Sequence, residues 1–98
     1  MDLQTCTGKI RDKLGQNSSL NATLKFDCGV DGFIFVNALL NPHVVDNRDR
    51  EASCTVSLSL ADLGALLAGQ LNPISGFMSG KLKLAGDMSI AMRLQKVV

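Results

Sequence analysis

A chain of 98 residues and 10.4 kDa has room for one domain, and 46% apolar with 19% charged content excludes disordered, collagenous and disulfide-dense classes. Four phenylalanines without tyrosine or tryptophan make no stacking platform for single-stranded nucleic acid, and a net charge of +1 makes no basic footprint for a duplex. A nucleic-acid partner is therefore not expected.

Leu3, Cys6, Ile10 and Leu14 recur at helical spacing, which predicts a helix over residues 2–15 with Asp2 at its positive end and Gly15 at its stop. Residues 20–28 alternate: Leu20, Ala22, Leu24, Phe26 and Cys28 point one way, and Asn21, Thr23, Lys25 and Asp27 the other, as in a strand with one buried face. The Asp31-Gly32 turn implies a hairpin into a second strand over 33–40, apolar on both faces and so either central or covered outside. Val44-Val45 reads as a short edge strand and residues 46–51 as a solvated charged loop. Alternation returns over 54–60, with Cys54, Val56, Leu58 and Leu60 inward. Ser59 and Asp62 have capping-box spacing for a helix over 60–69, with a stripe of Leu63, Leu66 and Leu67. Asn72-Pro73 is an N-cap with proline at the first helical position, opening a short helix through Ile74, Phe77 and Met78 that Gly80 closes. A last strand over 81–86 turns Leu82 and Leu84 inward and Lys81 and Lys83 outward, and Asp87 caps a final helix over 88–97. One-sided strands specify a single, mostly antiparallel sheet with helices on one face, an α+β sandwich of two layers.

Chemistry-bearing patterns are few. His43 follows Asn41-Pro42 in a turn, and no motif supplies the nucleophile or orienting group of a triad. Gly76-Phe77-Met78-Ser79-Gly80-Lys81 has three residues between its glycines where a phosphate loop has four, and Leu82 replaces the magnesium-holding hydroxyl. No metal-ligand spacing occurs. An enzyme, a metal and a cofactor are not expected. Cys6, Cys28 and Cys54 read as small buried hydrophobes. The starting residues lack an apolar signal-peptide core and no run reaches the roughly 18 apolar residues of a spanning helix. A soluble protein, cytoplasmic or otherwise intracellular, is expected, and the sequons at Asn17 and Asn21 are expected to be idle.

In the last helix, Met88, Ala91, Met92 and Gln95 form one stripe, Ile90, Leu94 and Val97 a second, and Ser89, Arg93 and Lys96 a narrow polar arc. The apolar arc spans roughly 220°, against about 100–140° for a helix docked on one sheet. Either the helix is wedged between elements or its extra stripe faces a cavity.

Three blocks, Gly69-Gln70-Leu71-Asn72-Pro73, Phe77-Met78-Ser79-Gly80-Lys81-Leu82-Lys83 and Gly86-Asp87-Met88, followed by Arg93-Leu94-Gln95, run through residues 58–95. In these blocks and their spacing the chain closely resembles the sterol carrier protein type 2 family. The resemblance implies a five-stranded sheet covered on one face by helices around an apolar tunnel. It also implies a domain over 1–98 that binds and moves fatty acids, acyl-CoAs, sterols or phospholipids without catalysis. Met88 and Met92 become deformable tunnel wall, with Ala91 lining the site on the same stripe and Gln95 a polar group near a lipid head. Leu63, Leu66, Leu67, Ile74, Phe77, Met78, Leu82 and Leu84 line the site, with Leu24, Phe26 and Phe35 as sheet-side candidates. The chain departs from the family's pattern in a shorter, glycine-richer first helix, a second strand without tryptophan or tyrosine, and Lys96-Val97-Val98 where a peroxisomal tripeptide often stands.

The expected partners are a long-chain lipid and, transiently, a membrane surface, with the protein a monomer. Lys81, Lys83, Arg93 and Lys96 against Asp87 give residues 70–98 a net +3, while residues 1–69 carry −2. These four cations are the membrane-collision candidates. A tethering or dimerisation module without lipid is the alternative function.

Overall fold

Each helix begins at a residue whose side chain satisfies an otherwise unpaired backbone N–H. A computed structural model of the chain describes residues 2–15, 20–40 and 43–93. The Asp2 carboxylate accepts from the Thr5 N–H at 2.7 Å and opens α1, Leu3–Leu14. The Ser59 hydroxyl accepts from the Asp62 N–H at 3.0 Å and opens α2, Leu60–Leu67. The Asn72 carboxamide accepts from the Ile74 N–H at 2.9 Å and opens α3, Pro73–Met78. Asp87 takes the Ser89 N–H at 2.9 Å and opens α4, Met88–Ala91.

Between the helices lie β1 (Thr23–Asp27), a 3₁₀ turn (Gly29–Asp31), β2 (Phe33–Asn37), β3 (Val44–Asp46), β4 (Cys54–Ser57) and β5 (Lys83–Gly86). The strands form one sheet in the order β3-β2-β1-β4-β5. The β1–β2, β2–β3 and β4–β5 pairs are antiparallel, while β4 returns beside β1 in parallel. The sheet is therefore mixed and mostly antiparallel. β1 is its centre, which accounts for the strict alternation of its buried and half-buried residues.

Register decides the faces, because residues directly opposite across paired strands point the same way. Leu24 stands opposite Val36 and Cys54, Phe26 opposite Ile34 and Val56, and Val56 opposite Leu84. That face carries the helices. Phe33 and Phe35 share the other face with Lys25 and Asp46. The doubly apolar β2 is thus accommodated by covering its outer side. The Arg50 guanidinium lies 5.8 Å from the Phe35 ring centre and the Lys25 ammonium 5.5 Å from that of Phe33. Lys25 also meets Asp49 at 2.8 Å, so the charged loop after β3 folds back over this face instead of extending into solvent.

α1 packs on α2, β2 and β3. Its one buried polar side chain, Thr7, donates to the Leu3 carbonyl at 2.7 Å and accepts from the Asn47 carboxamide at 2.9 Å. Asn47 also donates to the Phe33 carbonyl at 2.9 Å, and Arg11 to the Val45 carbonyl at 2.7 Å, tying α1 to the β2–β3 side of the sheet. The final helix is shorter than its periodicity predicts. After Ala91 the Arg93 N–H bonds the Ile90 carbonyl at 2.9 Å, the tightened i→i+3 pattern in which helices end. Residues 94–98 lie outside the described residues, as do Asn17 and the Asn41-Pro42 breaker.

Candidate functional site

Leu63, Leu66 and Leu67 occupy one stripe of α2 and meet Leu24 and Phe26 of β1 in a single apolar cluster, joined by Leu82 and Ile90. Cys6, Ile10 and Leu14 of α1, which packs on α2, β2 and β3, belong to the same cluster. Leu84, on the same sheet face but in edge strand β5, is half-buried and packs against it. Seven of the residues expected to line a lipid site are therefore together: Leu24, Phe26, Leu63, Leu66, Leu67, Leu82 and Leu84. Ile34, Val36 and Val56 belong to the same face and are missing from the expected set. The hairpin register about Asp31-Gly32 carried the signal for the first two.

Phe35 is a correction. It is only 6% exposed, yet it stands opposite Lys25, on the face away from Leu24 and Phe26. Its burial comes from the β3–β4 loop and the Arg50 guanidinium, and it does not line the helix-covered interior.

α3 is seated the opposite way from an ordinary amphipathic helix. Gly76 is its buried residue, and a β-carbon there would press on Leu82 at 3.1 Å. The Gly76 carbonyl accepts the Lys81 N–H at 2.9 Å and the Leu82 N–H at 3.1 Å, which locks the helix end to the approach of β5. Ile74, Phe77 and Met78 consequently face out, at 60%, 47% and 81% exposure. They form an apolar outer surface instead of lining the interior.

On α4 the buried residue is Ile90, whereas Met88 and Met92 are 50% and 85% exposed. The inward stripe is thus the one containing Ile90, and the Met88–Met92 stripe looks outward. Ala91 ends the helix, and Gln95 and Lys96 fall outside the described residues. The Asp87 N–H bonds the Ser53 carbonyl at 2.8 Å, fixing the turn from β5 into α4. The Ser89 hydroxyl and N–H hold the Asp87 carboxyl below its ordinary pKa. Arg93 donates to the Leu20 carbonyl at 2.9 Å, so this cation of the predicted collision set is also a tether between α4 and the start of β1. Lys81 and Lys83 are exposed.

This arrangement has close counterparts. The profile of the SCP-2 sterol transfer family matches residues 4–98. The chain belongs to this family. Sterol carrier protein 2 of Oryctolagus cuniculus is 46% identical over 54 residues, a stretch covering 55% of this chain and 10% of that protein. The chain thus matches about a tenth of the length of such relatives. The crystal structure of sterol carrier protein 2 like 2 from Aedes aegypti superposes with a TM-score of 0.79 at 20% identity, covering 98% of this chain and 95% of that one. A solution structure of palmitated SCP2L2 from Aedes aegypti gives a TM-score of 0.69 at 21% identity over 99% and 94% of the two chains. At such identities these likenesses establish the SCP-2 fold.

Within this SCP-2 fold the three cysteine thiols are buried. Cys6, Cys28 and Cys54 all lie in the apolar cluster. Burial pushes the Cys28 thiol up to about 11, with Cys6, Asp27 and Asp31 adding to the rise, and burial raises Cys6 and Cys54 as well. They act there as small hydrophobes. His43 is half-buried, and its Nδ1 lies 2.7 Å from the Leu40 carbonyl. A carbonyl only accepts, so this contact has the proton on Nδ1. Among the described residues no helix is long and apolar enough to cross a membrane.

Proposed function

We propose that this SCP-2 family chain, as one domain over residues 1–98, binds a single long-chain lipid against the helix-covered face of its sheet and transfers it between membranes without covalent change. The observation that carries the reading is the family match over residues 4–98. The shared fold of a palmitated relative supports a fatty acyl chain as one occupant. Fatty acids, fatty acyl-CoAs, sterols and phospholipids are the ligand classes, and the protein acts as a monomer that touches membranes transiently.

In this reading the acyl chain lies between Leu24, Phe26, Leu82 and Leu84 on the sheet side and Leu63, Leu66 and Leu67 on α2. Leu24, Phe26 and Leu63 have no exposed surface, so a ligand reaches them only as the helical layer moves off the sheet. Ile74, Phe77, Met78, Met88 and Met92 then belong to the rim. A twelve-carbon chain buried at about 0.8 kcal/mol per CH₂ contributes a transfer free energy of about 9–10 kcal/mol. Association and displacement of the helices offset part of it, and micromolar affinity corresponds to about 8 kcal/mol.

The test is titration with a fluorescent long-chain fatty acid, alongside native mass spectrometry. Saturable one-to-one binding, displaced by unlabelled lipid, is expected. Absence of saturable binding overturns the reading.

A further inference from the structure

An open sheet has two edges, and each presents backbone N–H and C=O groups with which a further strand can pair. The β3 edge is blocked at its central residue, where Arg11 of α1 donates to the Val45 carbonyl at 2.7 Å. The β5 edge is covered only at its approach, where the Gly76 carbonyl of α3 takes the Leu82 N–H at 3.1 Å. Beyond that point register fixes which groups face outward. In an antiparallel pair, residues that exchange hydrogen bonds alternate with residues whose N–H and C=O turn away from each other. The Asp87 N–H bonds the Ser53 carbonyl at 2.8 Å, so the bonded pairs are Ser53 with Asp87, Thr55 with Ala85 and Ser57 with Lys83. The intervening pairs, Cys54 with Gly86 and Val56 with Leu84, turn their backbone groups apart. The Leu58 N–H, bonded to the Asp27 carbonyl at 3.1 Å just past β4, agrees with this alternation. Leu84 and Gly86 therefore aim outward. Among the described residues no group bonds the Leu84 N–H, the Leu84 carbonyl or the Gly86 N–H on that side.

The two faces of this edge differ in chemistry. Leu84, half-buried, lies on the helix-covered face, while Lys83 and Ala85, both exposed, lie on the other. Lys83 stands beside Ser57, and Asp27 follows one strand further on, its carboxylate already accepting the Gly29 N–H at 2.9 Å. Among the described residues Lys83 enters no ion pair. The edge thus offers an unmatched cation on one face, an aliphatic side chain on the other and unpaired backbone between them.

We propose that the β5 edge docks an extended segment of a partner protein, in which aliphatic and acidic side chains alternate, as an added strand antiparallel to β5. The partner residue opposite Leu84 exchanges both backbone hydrogen bonds with it and lays an aliphatic side chain beside it. The next partner residue stands opposite Lys83, with its carboxylate on the same face as the ammonium. Two places before the first, a partner carbonyl accepts the Gly86 N–H. A basic segment would set like charges opposite each other at Lys83. A second copy of β5 has no acidic residue within Lys83–Gly86, so self-pairing leaves both ammonium groups unmatched. Neither the edge nor its charge depends on the lipid-carrier reading.

Two blocked peptides, one alternating valine with glutamate and one alternating valine with lysine, are titrated into the isotope-labelled chain while its amide protons are followed by NMR. The glutamate peptide is expected to shift the Leu84 and Gly86 amide signals and slow their exchange with solvent. It should bind at least about threefold more tightly than the lysine peptide, and Lys83→Glu should invert that preference. Leu84→Pro deletes the outward N–H without removing a bond to β4, and should abolish binding of the glutamate peptide. Exchange at Leu84 and Gly86 that is indifferent to the peptide overturns the proposal, as does a preference that Lys83→Glu leaves in place. A Leu84→Pro variant that folds by circular dichroism and binds like the parent would place the peptide elsewhere and overturn it too; if that variant does not fold, the Lys83→Glu inversion decides. Slowed exchange that grows with protein concentration in the absence of peptide, with a doubled mass, would assign the edge to self-pairing and refute a separate partner. None of these readouts uses lipid, so the carrier reading stands or falls apart from them.

Discussion

Gly86 sits where no other residue fits. Its φ is +98°, and a β-carbon would fall onto the Ser53 carbonyl oxygen, the acceptor that the Asp87 N–H uses at 2.8 Å. An alanine must take on backbone strain and also displace the carbonyl that anchors α4 to β4. Gly86→Ala is expected to lower the unfolding free energy by roughly 2 kcal/mol or more, and the melting temperature by roughly 10 °C, in a domain of this size. Gly8 offers the contrast. It lies inside α1 with nothing near the position of its missing β-carbon, so Gly8→Ala is expected to stabilise by about 0.5–1 kcal/mol. Denaturant midpoints of the two variants, measured together, should move in opposite directions; equal shifts would show that the Ser53 contact does not constrain the turn.

At the scale of elements, β5 brings the interior close to the surface. It is an edge strand between two helices with exposed apolar side chains, and its inward residue Leu84 is only half-buried. A polar amide there can be folded without sealing it from water, yet it breaks the apolar continuity between Leu82 and Val56. Leu84→Asn is expected to fold with its sheet intact and to weaken fatty-acid affinity about five- to tenfold, the loss of part of one buried leucine contact. Circular dichroism and the fluorescent titration check both halves. Unchanged affinity would remove β5 from the lipid-facing surface. The carboxylate that Met92→Asp introduces, by contrast, would point into solvent at an 85% exposed position, so it does not probe the interior.

For the molecule as a whole, three cysteines in one apolar cluster make stability sensitive to alkali. In the unfolded chain thiols ionise from about pH 9, whereas folded Cys28 holds its proton to about 11 because burial penalises the thiolate. The folded state thus binds more protons across that window, so unfolding free energy falls as pH rises from about 9 towards 11 and is unaffected by Cys28 below it. Cys6 and Cys54, also raised by burial, act in the same direction. Denaturation midpoints between about pH 8 and 11 should show this decline, and Cys28→Ala should make it shallower. A flat profile would mean that the thiols ionise in the folded protein as readily as in water. On the acid side Asp2 and Asp87, both held low by hydrogen bonds at helix starts, act oppositely, their contribution fading as pH falls below 3.8.

Features decided within a few residues of one another are legible in the amino-acid sequence alone. The caps at Ser59, Asn72 and Asp87, the alternation of Leu24, Phe26, Cys54 and Val56, and the α2 stripe of Leu63, Leu66 and Leu67 all stand in the structure where local chemistry places them. The blocks around Asn72, Lys81 and Asp87 carry the family with them. Tertiary structure alone decides the rest. Phe33-Ile34-Phe35-Val36 is apolar on both faces, so only pairing with β1 reveals that Phe35 turns outward. The parallel return of β4 beside β1 depends on a connection that no local pattern encodes. Apolar spacing on α3 and α4 says which side chains share a stripe, not which stripe docks. For α3 the choice falls to a glycine small enough to let the helix backbone close on Leu82, which turns Ile74, Phe77 and Met78 towards solvent. Periodicity is a property of one element, whereas the face it buries is set by the partner it meets.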